Sequence, residues 1–155
     1  MLENIQQDFQ YEILFSANNT LKGSINEINV DIIAHRYPYI EPPLNEMDIH
    51  MLSLPDIAAM KLNAISTSGQ RSKDFIDLYY LSELYTVHDL ISFYKAKYRQ
   101  GNEMVILKSL VYFDDVDLAD WPILMKDPEL KWDDVKKHLT TIVREYIRTQ
   151  GKGFE

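Results

Sequence analysis

Apolar and polar positions along this chain follow two periods, and the change comes near residue 53. Before it, residues 9–15 (FQYEILF) and 28–34 (INVDIIA) are short runs rich in β-branched and aromatic side chains. Such runs predict strands. Between them SANNTLKGS, followed by INE, is rich in turn residues, so the pattern predicts antiparallel strands joined by Asn/Gly turns. In NVDII, Val30 and Ile32 alternate with Asp31; if the first two face a core, Asp31 faces the other side of the sheet. Residues 36–46 (RYPYIEPPLNE) hold three of the six prolines. Each proline pushes its predecessor toward extended backbone, so an irregular strap is expected there and no regular element.

Beyond the strap the period is 3.6. Ser53 as N-cap, Pro55 in the first turn and Asp56 three after the cap open a helix over 54–66, with Ile57, Met60, Ala64 and Ile65 at helical spacing. STSGQ ends it. A second helix is expected from Ser72 to about Leu84, and a third from the Thr86/Asp89 cap to about Tyr98. A fourth, strongly apolar, covers 103–113 after Asn102. The acidic segment 114–132 reads as a loop. Asp133 opens a last helix striped with Val135, Leu139, Ile142, Val143 and Ile147, and Gly151 and Gly153 mark a frayed tail. The class is α+β: a short antiparallel or mixed strand region followed by about five helices in a bundle. One domain, 1–155, is expected, with strands in 1–35, the strap in 36–52 and helices in 53–150.

Composition narrows the chemistry. The 155 residues are 46% hydrophobic and 12% aromatic, enough for a core and too much for a disordered chain. There is no cysteine, so disulfides, thiolate metal sites and cysteine nucleophiles are excluded. Sixteen Lys+Arg against 24 Asp+Glu leave a net charge of −8, which opposes non-specific binding to polyphosphate. The first residues lack a basic segment followed by an apolar one, and no run reaches membrane-spanning length. A cytoplasmic protein with no membrane contact is the expectation.

The chemistry-bearing residues cluster in 54–78. Asp74 and Asp77 are three apart and project from one helix face, with Lys73 four before Asp77 and Arg71 just outside the helix. Lys61 lies between Met60 and Leu62; its ammonium either snorkels to solvent or meets an anion in a cleft. Cations and helix N-terminal amides beside paired acids suit a triphosphate and its metal. Spacing alone favours the plainer reading, a dipole-stabilising acid and a surface ion pair. Asp31 fits either a solvated sheet face or a metal-binding carboxylate on a rigid strand. The run Asp114, Asp115, Asp117, Asp120 lacks the glycine and glutamate of a calcium loop and reads as a capping, solubilising loop. His35, His50, His88 and His138 show no zinc spacing. KAKYR (95–99) reads first as a solvated helix end and second as an RNA contact.

Four segments carry a family resemblance: NTLKGSINEINVDIIAHRYPYIEPPL, MLSLPDIAAMKLNAI, RSKDFIDLYYL and LKSLVYFDDVD. Together they resemble the AbiEii/AbiGii toxin family of nucleotidyltransferases, within the polymerase β-like superfamily, over residues 9–147. The resemblance implies a bacterial toxin with a separate antitoxin in phage defence, using Mg²⁺ and a nucleoside triphosphate, some members acting on tRNA ends. By the same resemblance Asp31 stands at or near the third metal carboxylate and Lys61 at the lysine that contacts the phosphates. Asp74 and Asp77 match the later motif, where either would orient that lysine or the acceptor, and Arg71 and Lys73 join Lys61 as candidate nucleotide-binding cations.

The family's first motif, Gly-Ser followed by D-x-D, does not precede Asp31. The expectation is therefore a truncated nucleotidyltransferase-like chain that is not competent alone but keeps a residual phosphate cleft. The alternatives are an enzyme completed in trans by another chain, or a non-catalytic interaction module of a toxin–antitoxin system. A shortened sheet would expose an edge open to self-association or to an antitoxin, and net charge disfavours tRNA as a partner.

Overall fold

The computed structural model describes residues 9–99, 102–119 and 121–151. Expectations that rest on the residues before 9, on Asp120 and on Gly153 lie outside the described residues. The chain divides into two compact units, the first ending at Tyr37 and the second beginning at Pro38. The class is α+β, with antiparallel sheets of three and two strands and five helices among the described residues.

The first unit is a meander of β1 (Tyr11–Ala17), β2 (Thr20–Ile25) and β3 (Ile28–Ile33), in that order across the sheet. β2 corrects the sequence reading, which made its residues part of a turn. Each turn is only two residues long, Asn18–Asn19 and Asn26–Glu27, so TLKGSI is left free to pair on both sides. Asn26 and Glu27 both take positive φ (47° and 67°), the twist-matched geometry of a tight hairpin. Gly23 interrupts β2 for a steric reason: a Cβ there would stand 2.3 Å from the Glu12 carbonyl oxygen. Register places Ile13, Gly23 and Val30 in one row and Lys22 beside Asp31 in another. Asp31 therefore lies on the face opposite Val30 and Ile32, as the alternation predicts.

The second unit begins with the strap, where a hairpin was not expected: β4 (Leu44–Glu46) pairs with β5 (Ile49–Met51) across Met47 and Asp48, both at positive φ. The prolines end at Pro43, so nothing prevents pairing beyond them.

The helices are α1 (Leu54–Thr67), α2 (Ser72–Leu81), α3 (Val87–Tyr98), α4 (Glu103–Ser109) and α5 (Trp132–Gly151). α1 packs against α2, α3 and α4, and α5 closes the layer on α2 and α3. The core face of α1 is Ala58, Ala59, Leu62 and Ile65, rotated slightly from the expected stripe, and Ile57 is only half-buried. α4 stops at Ser109, short of the expected Phe113, because Phe113 turns in to pack on Phe75 and Trp132 (ring centroids 5.6 Å from each). α2 likewise ends at Leu81, where the Ser82 hydroxyl donates to the Tyr79 carbonyl. Val135, Leu139 and Val143 of α5 are buried, whereas Ile147 of the same expected stripe is 48% exposed.

Candidate functional site

The crossing of α1 and α2 brings together three of the sequence-selected residues. Lys61 stands one turn from Ala58 and Ile65 of the core face, so its stem is half-buried and its ammonium emerges at the edge. Its Nζ donates to Asp74 Oδ1 at 2.8 Å and meets Asp77 Oδ2 at 2.5 Å. Burial by itself would lower the Lys61 pKa; the two carboxylates outweigh it and hold the ammonium above its usual range. Asp74 is buried in the first turn of α2, where the helix dipole favours its charge. Asp77, one turn on, is about half-exposed.

Arg71 occupies the N-cap of α2 with extended backbone and no side-chain cap. Its carbonyl accepts from the Asp74 amide at 3.1 Å, and its exposed guanidinium approaches Asp74 Oδ2 at 4.0 Å. The acidic segment is stitched onto this helix start: the Asp117 amide donates to the Gln70 carbonyl at 2.8 Å, and Arg71 and Asp117 form a parallel bridge. A hollow of about 240 Å³ results, lined by Gln70, Arg71, Ser72, Lys73 and Asp117. Asp117 belongs to the segment whose composition predicts a solubilising loop, and its position in this wall has no local signal in the sequence.

Asp31 belongs to the first unit. Its carboxylate lies 3.4 Å from the Lys22 ammonium across the strand pair, both about half-exposed. Among the described residues no group of three or more His, Asp or Glu converges so as to hold a metal ion. Asp74 and Asp77 are both turned onto Lys61. The described donor set thus does not by itself fit a resident Mg²⁺.

A second polar centre was not foreseen. Asp56 and Lys97 are fully buried and paired at 2.6 Å, which corrects the reading of KAKYR as a solvated helix end. Lys97 follows Leu90 and Tyr94 on the inward face of α3, a phase visible in the sequence but masked by its charge. Lys97 also donates to the Pro38 carbonyl at 3.1 Å and sits 5.9 Å from the Tyr39 ring. Asp56 accepts from Ser53 Oγ at 2.7 Å and from the Ile40 amide at 3.1 Å. Burial would raise the Asp56 pKa, but Lys97, Ser53 and the amides of Ile40 and Glu41 lower it to about 2. The pair ties the strap to the helices.

Fold and site define a small α+β protein whose helical unit holds a lysine between two aspartates beside a cation-rimmed hollow. The model of the nucleotidyl transferase AbiEii toxin family, of Type IV TA systems, matches residues 6–149, and the chain belongs to this family. It is also similar to an uncharacterized protein, aq_aa25, of Aquifex aeolicus (strain VF5), at 33% identity over 138 residues. That match covers 86% of this chain and 65% of the relative's length. No solved structure matches it significantly. Among the described residues no helix is long and apolar enough to cross a membrane.

Proposed function

We propose that this chain supplies the phosphate-holding side of a nucleotidyltransferase-type toxin site and does not transfer nucleotide by its own residues alone. The observation that carries the reading is the bracketing of Lys61 by Asp74 and Asp77. An ammonium has three N–H donors. The two carboxylates take two and fix its position, which leaves the third for a phosphate oxygen. Arg71 and Lys73 at the start of α2 add positive charge on the neighbouring hollow. Transfer of a nucleotidyl group also needs metal ions to neutralise the charge developing on the phosphates. Asp31 is the one carboxylate that the family resemblance assigns to such a metal, and its observed partner is Lys22. The remaining carboxylates would come from another segment or another chain. A role within a toxin–antitoxin pair in phage defence is part of the same proposal and rests on the family.

Calorimetry with each of the four nucleoside triphosphates tests the phosphate-holding part. Weak binding is expected, lost in Lys61→Gln and reduced in Arg71→Ala. No heat at millimolar nucleotide would leave a non-catalytic interaction module. Incubation with Mg²⁺, labelled triphosphates and tRNA tests the second part: no transfer is expected, and transfer abolished by Lys61→Ala or Asp31→Asn would overturn it.

A further inference from the structure

The helical unit carries a surface that runs against the charge of the rest of the molecule. On its α4 side lies a hollow of about 550 Å³, where Val105, Lys108, Val111 and Tyr112 meet the last turn of α1. On its α5 side a second hollow, about 470 Å³, is lined by Val111, Thr140, Val143, Arg144, Ile147 and Arg148. Val111 lines both, so the two adjoin at that side chain. Neither lining contains an aspartate or glutamate, although the chain carries 24 of them against 16 lysines and arginines. Among the described residues Lys108, Arg144 and Arg148 form no ion pair. The floor between them is apolar and open, with Val105 51%, Tyr112 50% and Ile147 48% exposed. Asp114 and Asp115, which act on the Tyr112 hydroxyl, stand at its margin.

We infer that this groove docks an amphipathic helix of a partner protein, with the helix's apolar stripe on Val105, Val111 and Ile147 and its carboxylates on Lys108, Arg144 and Arg148. The occupant follows from charge and spacing. Cations without acids of their own, on a strongly acidic chain, select an acidic partner and repel a basic one. Arg144 and Arg148 are one turn apart on α5, about 6 Å along its axis, which matches carboxylates at i and i+4 of a facing helix. An apolar floor fits a helix stripe and leaves the sugar-phosphate chain of an RNA without contacts. A second copy of this chain would bring its own net charge of −8 to the contact.

The probe is a blocked peptide of about 18 residues with leucines at i, i+3, i+4 and i+7 flanked by glutamates, titrated to millimolar concentration against the ¹⁵N-labelled full chain. Amide shifts are expected within 105–112 and 140–148. Binding should weaken about tenfold or more in Arg144→Glu/Arg148→Glu and as salt is raised. Ile147→Asp should weaken it as well, with the melting temperature of both variants unchanged. The proposal is overturned by no binding, by equal binding of the peptide with lysine in place of glutamate, or by shifts elsewhere. It is also overturned if tRNA occupies the same amides, or if sedimentation shows this face joining two copies of the chain.

Discussion

Asp56 shows how a single side chain can govern a whole segment. Its carboxylate meets the Lys97 ammonium, the Ser53 hydroxyl and the amides of Ile40 and Glu41, all within about 3.3 Å. With a folded pKa of about 2 against the ordinary 3.8, its ionised form is favoured by folding. Its contribution, about 2 kcal/mol at neutral pH, is fully present above the unfolded value and is lost as pH falls from about 4 toward 2. Thermal melts across that range should show the loss, and Asp56→Asn should flatten this part of the profile. Removing one partner leaves a buried charge, so Asp56→Asn or Lys97→Met should each cost ~3–5 kcal/mol. The double variant should cost clearly less than the sum, as urea unfolding of the four proteins would measure. The same scale shows where sequence reading stops. Helical spacing places Asp74 and Asp77 on one face and nominates Lys73 as their neighbour. It carries no sign that Lys61 arrives from a different helix, because α1 and α2 meet through a shared core that includes Leu62 and Phe75, not through local period.

Among the elements, α3 is the one most fully written in its own residues. Thr86 and Asp89 form a reciprocal capping box, with the Thr86 hydroxyl accepting from the Asp89 amide at 3.2 Å and Asp89 Oδ2 accepting from the Thr86 amide at 2.9 Å. These bonds hold the Asp89 carboxyl below its usual range. Thr86→Ala should destabilise the fold by ~1 kcal/mol, whereas Thr86→Ser should be nearly neutral; equilibrium unfolding distinguishes them. The starts of α1, α3 and α4 were legible because the caps at Ser53, Thr86 and Asn102 are local chemistry. Helix ends were less so: α2 and α4 stop early where Ser82 and Phe113 take up tertiary partners. β2 was missed for a related reason. Gly23 and the flanking asparagines look like turn material, and only the approach of the Glu12 backbone explains a glycine inside a strand.

At the level of the whole molecule, every described residue of the buried hydrophobic cluster lies between Ala58 and Val143. A fragment beginning at Pro38 therefore contains the entire cluster together with the Asp56–Lys97 tie. It should unfold cooperatively and retain the helical far-UV spectrum of the full chain; a broad, non-cooperative melt would refute this. The α+β class, the helix order and the family were readable from periodicity and motif. The apolar, cation-rimmed groove was not, since its walls come from α1, α4 and α5, which meet only in three dimensions. The buried pair also constrains how this sequence can drift. Neither Asp56 nor Lys97 can change first without passing through a form that carries a lone buried charge. Relatives should therefore keep both residues or exchange both together, and a helix-end lysine that looks freely replaceable becomes one half of an inherited unit.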